Sequence, residues 1–365
     1  MDPAIYLNAS KSKNENVLIS FEFNGGSTMK NIKVLGIDLA KNVFQIHGTD
    51  AKGKAILRKR LSRSKFMEFI ANQLPCIIGI EACGGSHYWA RYCKQFGHEV
   101  RMMAPQFVKP YVKSNKNDRN DSEGIAEACT RPSMRFVPIK TMTQQDILMI
   151  HRARELSIKN RTAQSNQIRS FLNEYGIIMP QGIRKLKELI QIIEEHKDKL
   201  TPISIELIVQ LYEQFNQFDA QVKEYDRQIT LLAKQNNMCQ EIQKMQGVGP
   251  LIASAIVSTI GDPKVFKNGR EVSAWLGLTP RQYSSGEKIV LGGISKRGDS
   301  YMRKLLIQGA RNAVKVCGNK KDKLSCWVTN KKERGGFNKA AVALANKNVR
   351  MIWAIMSTGE CYRHP

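Results

Sequence analysis

No run of apolar residues in this 365-residue chain approaches the ~18 that a membrane-spanning helix needs. A basic amphipathic anchor helix and a lipidation motif are also missing, which sets membrane attachment aside. None of the eight cysteines forms a CxxC pair, and only Cys83 and His87 stand at helical spacing. Zinc sites use four ligands at close, paired spacings, so the expectation is free thiols in a reducing, cytoplasmic setting. The first 28 residues lack the basic start and continuous apolar core of a secretory signal. They read as a disordered leader, a cloning remnant or an upstream choice of start, with Met29 favoured as the natural beginning. No zinc-finger pattern or clear recognition helix is present.

The most telling scarcity is of acids: 32 Asp+Glu face 57 Lys+Arg, a net charge of +25. Such a surplus repels itself unless a polyanion compensates it, and nucleic acid is the leading candidate. From Arg281 to Arg350 there are 17 Lys+Arg against 4 Asp+Glu, a surplus of 13. Apolar residues make up 42% and charged residues 24%, as in an ordinary folded protein. The length allows two or three domains.

Four segments separate by pattern, at 1–29, 30–140, 141–240 and 241–365. The second alternates strand and helix. Strands are expected at 34–37, 43–47, 55–57, 76–80 and 99–103, with helices near 64–74 and 86–96, giving an α/β sheet. The third is helical, with breaks at 176–182 and 201–202. Within it, Ile208, Leu211, Phe215, Phe218, Val222, Tyr225, Ile229 and Leu232 step by three and four. That stripe suits either a coiled coil that pairs subunits or a long helix packed in its own domain. The fourth segment is mostly helical, with a polar loop at Ser284–Ser285–Gly286 and a basic linker at 331–336.

Asp38 ends one buried strand and Glu81 another, while Asp118 and Asp121 open a later helix on one face. Parallel strands gather their C-terminal ends on one edge, where α/β sheets bind ligands. Singly, each acid also reads as a turn or helix-start residue. Together, four converging carboxylates repel one another unless cations sit between them, and hard oxygen donors select Mg²⁺ or Mn²⁺. Two such ions can clamp the attacking and leaving oxygens of a phosphodiester. Glu123 and Glu127 are the neighbouring acids most easily mistaken for members of the set.

The arrangement resembles the ribonuclease H-like fold of Holliday-junction resolvases. Gly36–Ile37–Asp38–Leu39–Ala40–Lys41, Gly79–Ile80–Glu81–Ala82–Cys83–Gly84 and Lys116–Asn117–Asp118–Arg119–Asn120–Asp121 resemble the three acidic motifs of DEDD insertion-sequence transposases, a family that includes the Piv invertases. The words Gly247–Val248–Gly249–Pro250, Trp275–Leu276–Gly277–Leu278–Thr279–Pro280 and Ser284–Ser285–Gly286 through Ile294–Ser295–Lys296–Arg297–Gly298–Asp299 follow in the family's order. The resemblance spans about residues 32–363. It implies a RuvC-like catalytic domain at 30–140, a helical coiled-coil region at 141–240 and a mostly α transposase domain at 241–365. It makes Asp38, Glu81, Asp118 and Asp121 the metal-binding tetrad.

The resemblance further implies a serine nucleophile, Ser285, with Ser284 beside it. It implies transposition of the chain's own element with DNA as substrate, guided by a structured noncoding RNA. A resolvase that cuts without rejoining is the alternative. Gly247 and Gly249 resemble a helix-hairpin-helix phosphate grip, although a plain helix start reads equally well. Lys296, Arg297, Arg303, Lys304 and Arg311 are the basic residues expected on nucleic acid. Chemistry shared between Asp121 and Ser285, 164 positions apart, leads to the expectation of a homodimer or tetramer.

Overall fold

The computed structural model describes residues 31–113, 118–286 and 288–363; of Asp118 it describes the backbone alone. The expected leader at 1–29 lies outside the described residues.

The first unit is a mixed five-stranded sheet in the order β3-β2-β1-β4-β5. Strands β1 (Val34–Leu39), β2 (Val43–Thr49) and β3 (Ala55–Ser62) form an antiparallel meander. Helix α1 (Arg63–Asn72) leads to β4 (Ile77–Glu81), α2 (Ser86–Gln95) and β5 (Glu99–Met103), with β4 and β5 running parallel to β1. A short α3 (Pro105–Val108) precedes α4 (Asp118–Ala128). This is the ribonuclease H-like order. The strands expected at 43–47 and 55–57 run on to Thr49 and Ser62. One face of the sheet is sealed by an aromatic trio: Phe44 stacks on Phe66 at 4.6 Å, and Trp89 meets both edge-on.

The middle is two long helices folded back on each other. Helix α5 (Met142–Glu174) starts with a capping box between Thr141 and Gln144. A compact α6 (Leu189–Glu195) follows, then α7 (Pro202–Gln235), which opens with Pro202 behind the cap Thr201. Arg154 pairs with Asp226 and Arg161 with Asp219, while Ser157 bonds Gln221. Partners fall along α7 as numbers rise along α5, so the pair is antiparallel. Ile208, Phe215, Val222 and Ile229, seven apart, are buried. Ile208 and Phe215 join Ile168 and Leu172 of α5 in one core. These four positions of the heptad stripe are therefore covered within the chain, as the reading of a long helix packed in its own domain has it, while Leu211, Phe218, Tyr225 and Leu232 stay half-buried. The sequence repeats alike for a partner helix in another subunit or in the same one.

The last unit is built around α9 (Pro250–Ile260), buried along most of its length. Helices α8 (Asn237–Gln243) and α11 (Ser300–Val316) flank it, while α10 (Gly269–Trp275) and α12 (Lys323–Gly335) pack on α13 (Phe337–Thr358) to complete the core. Between α10 and α11 stands a hairpin, β6 (Pro280–Ser285) and β7 (Lys288–Ile294). The serine word is thus strand rather than loop. The sequence hid this because the hairpin buries neither face, so no alternation marks it: Tyr283, Ile289 and Leu291 are all exposed. The basic run at 331–335 is the last turns of α12, not a linker, since Lys, Arg and Glu are good helix formers and the helix stops only at Gly336, φ +81°. Of the eight free cysteines five are buried; Cys83, Cys326 and Cys361 are exposed. Among the described residues no helix is long and apolar enough to cross a membrane.

Candidate active site

Two adjacent strand ends form the base of the site. The parallel register of β1 and β4 pairs Gly36 with Gly79 and Ile37 with Ile80. Asp38 and Glu81 come next on the two strands, just past the last pair of that register, where paired strands stand about 4.8 Å apart. Because side chains alternate, Asp38 shares a face with Gly36 and Glu81 with Gly79. The isoleucines between them are fully buried on the other face.

Those two glycines let α4 lie directly on the sheet. A Cβ on Gly36 would stand 2.2 Å from the Ser122 carbonyl oxygen and 2.6 Å from the Ala126 nitrogen. One on Gly79 would stand 2.9 Å from the Cys129 Cβ and Sγ. Ser122, Ile125, Ala126 and Cys129 form the sheet-facing stripe of α4, and all are buried. Positions 118 and 121 continue that stripe one turn earlier, four residues before Ser122 and Ile125. Val34 and Thr49 line one cavity with Ala126, Glu127 and Thr130 at the helix end, whereas Gly36, two residues further along β1, lies against Ser122 and Ala126. The helix therefore runs opposite to β1, and its first turn sits over the edge that carries Asp38 and Glu81. The side chain of Asp118 lies outside the described residues.

The electrostatics agree with this placement. Partial desolvation raises the thiol of the otherwise exposed Cys83, and the charges of Glu81 and Asp38 both add to the rise, so one sulfur feels both carboxylates. Glu123 and Glu127 face elsewhere. Glu123 pairs with Arg58 at 2.9 Å, and Glu127 with Lys113 at 2.7 Å and with Arg131. Among the described residues no group of three or more His, Cys, Asp or Glu side chains is arranged to hold a metal ion. The donor set at the edge is nonetheless all carboxylate oxygen, which fits Mg²⁺ or Mn²⁺ and not a soft metal. Sequence reasoning found the acids but passed over Gly36 and Gly79. The signal was there: a glycine stands two residues before each strand-end acid.

Ser285 closes β6 opposite Lys288, next to Gly286 at φ +57°. Ser284 points to the opposite face, where its Oγ accepts a hydrogen bond from Gln282 at 2.9 Å. The other expected contacts divide. Gly247, φ +80°, is pressed against Gly309 of α11; a Cβ there would stand 2.7 Å from the Gly309 oxygen, so this glycine serves packing. Gly249 has open space where a Cβ would go. Arg303 is turned inward and donates to the carbonyls of Leu276 and Arg297. Lys304 pairs with Glu155 at 2.5 Å, and Arg311 bonds Asn338 at 2.6 Å. Lys296, φ +57°, and Arg297 remain exposed.

Two family models match the chain: a DEDD transposase model named for IS110 over residues 35–177, and the transposase IS116/IS110/IS902 family over residues 239–324. The transposase for insertion sequence element IS1111A of Coxiella burnetii is 44% identical over 92% of this chain and 93% of its own length. The chain belongs to the IS110/IS116/IS902 transposase family. The transposase for insertion sequence element IS1328 of Yersinia enterocolitica is 40% identical, over 92% of this chain and 99% of that protein. As a transposase the chain is a DNA-binding, strand-transferring enzyme, and its DEDD domain implies use of divalent metal.

Proposed function

We propose that this IS110-family transposase cuts and rejoins DNA through Ser285, with Asp38, Glu81, Asp118 and Asp121 as its metal-binding acids. The observation that carries the reading is the shared edge: Asp38 and Glu81 follow Ile37 and Ile80 in one parallel ladder, under the first turn of α4. Held by those carboxylates, divalent cations would stabilise charge on the attacking and leaving oxygens of the phosphodiester. The Ser285 Oγ attacks phosphorus, and the bond from phosphorus to the 3′ oxygen breaks. The serine proton ends on the departing 3′ oxygen, leaving the 5′ phosphate on the serine. Attack by another strand's 3′ hydroxyl reverses these steps and rejoins DNA without a high-energy cofactor. Ser285 suits this role better than Ser284 because its hydroxyl sits at the exposed tip while that of Ser284 is bonded to Gln282.

The same reading includes guidance by a structured noncoding RNA. Its support is the family resemblance, the charge of +25 and the lack of a base-reading module. It also includes assembly as a homodimer or tetramer in which one chain's serine serves another's acids. Trapping decides the chemistry: the protein, element DNA and divalent cation are quenched with detergent and the covalent adduct is mapped. Attachment at Ser285, lost in Ser285→Ala, is the expected result. Cutting that proceeds unchanged in Ser285→Ala would replace this reading with a hydrolytic nuclease.

A further inference from the structure

At the root of the serine hairpin lies a cavity of about 490 Å³ lined by two distant parts of the chain. Arg281 and Tyr283 of β6 and Arg297 line it from the last unit, and Arg135 lines it from the segment between α4 and α5. No Asp or Glu contributes to its lining. Among the described residues none of the three arginines forms a salt bridge, although neighbouring basic residues do. Three guanidinium groups facing one space without an anion repel one another, and a planar, multi-donor cation is the group best suited to phosphate.

Two of the three backbones, those of Arg135 and Arg297, are fixed. Phe136 bridges to Met103 of β5 and Val137 donates to the Met102 carbonyl, which pins Arg135 to the sheet. Gly277 packs so closely on Arg297 that a Cβ there would stand 2.1 Å from the Arg297 oxygen, and Arg303 donates to that same oxygen. Tyr283 lies on the face of β6 that carries Ser285, two residues nearer the root.

We propose that this cavity binds a nucleic-acid phosphodiester, clamping the strand between the acid-bearing sheet and the serine hairpin. The inference rests on the assignment of Ser285. Arg281 is four residues from Ser285, about 13 Å along a strand, so the clamped phosphate flanks the one that reacts. It is a binding role, and its test is a binding measurement that needs no strand transfer.

The full-length protein is titrated with labelled single-stranded DNA and with RNA of the same sequence across a salt series. Arg135→Gln, Arg281→Gln and Arg297→Gln are compared with Lys187→Gln, an exposed basic change elsewhere. Each arginine variant should lower the slope of log affinity against log salt by about one and weaken binding about tenfold. Arg135→Lys should keep the slope, since the charge remains. A loss confined to DNA or to RNA names the strand that occupies the cavity; a loss in both assigns it to either backbone. Slopes and affinities indistinguishable from those of Lys187→Gln for all three variants would overturn the proposal. Ser285→Ala should keep full binding, so failure of the clamp and failure of the serine chemistry give different results.

Discussion

A single methyl group at Gly36 should disable the enzyme while leaving it folded. In Gly36→Ala the new Cβ would stand 2.2 Å from the Ser122 carbonyl oxygen, 2.6 Å from the Ala126 nitrogen and 2.8 Å from the Ala126 Cβ. Two of those atoms are backbone, so no side-chain rotation relieves the contact. Helix α4 must withdraw by about 1 Å to restore a normal separation. Overpacking of this kind costs about 1–3 kcal/mol, which a domain of ordinary stability survives. The first turn of α4 moves with the helix, and it carries Asp118 and Asp121. A displacement of about 1 Å in a catalytic group costs on the order of a hundredfold in rate. The assay sets thermal unfolding beside adduct formation on element DNA, with Gly318→Ala as the control because a Cβ there meets nothing within 4 Å. Adduct formation should fall about a hundredfold in Gly36→Ala and stay unchanged in Gly318→Ala. Gly36→Ala with full activity and an unmoved melting point would refute the account of α4 as the part that delivers the second pair of acids.

Asp38→Asn and Glu81→Gln should each abolish strand transfer yet leave salt-dependent DNA binding intact, measured by adduct trapping and by anisotropy. Phe215→Ala should destabilise the protein by about 3–5 kcal/mol in denaturant titration, since the ring is buried between α5 and α7. His151, buried and held near 4 chiefly by desolvation, is neutral in the fold. Its contribution is complete above about pH 6.5 and is lost as pH falls from there towards 4, to a limit of about 3 kcal/mol. Unfolding free energy should therefore drop more steeply over that range in the native protein than in His151→Gln, and parallel curves would contradict this origin.

The acid-bearing edge was legible because strand ends and helix starts are local features. Val34–Ile37 and Ile77–Ile80 are apolar runs that stop at an acid, and their parallel register brings the two acids to adjacent strand ends. The serine hairpin was not legible, because its pairing depends on a turn at Gly286 and not on a buried face. The partner of the stripe on α7 was equally hidden: the heptad pattern specifies that a helix is covered but not by which chain. Arg303 illustrates a third kind of silence. Its charge promised a nucleic-acid contact, and the fold gives its Nη1 a second task, donating to two backbone carbonyls. Whether an arginine faces solvent or mends a loop is settled by tertiary neighbours.

How the acids and the serine could meet follows from α5. Near its start, Arg91 of α2 donates to the Lys140 carbonyl and to Gln145, tying the helix to the sheet unit. Six residues after Gln145, His151 lies between Tyr301 of α11 and Ser254 of α9, at 2.9 and 3.0 Å. Ser254 donates its proton to the Pro250 carbonyl, so its oxygen accepts from His151 Nε2–H, and Nδ1 accepts from the Tyr301 hydroxyl, which burial keeps protonated. Arg152 pairs with Asp299 and Glu155 with Lys304 on the same helix. A satisfied buried polar network of this kind is costly to open, because every group in it would be left unpaired. Rotation of the last unit against the sheet would break it. The hairpin has no such restraint, since every residue of β6 is exposed. If Ser285 acts as proposed, its approach to the acids is a task for the hairpin, bending on its root or reaching across from a second copy. The arginine cavity sits at that root, where a bound strand would hold the hairpin in place.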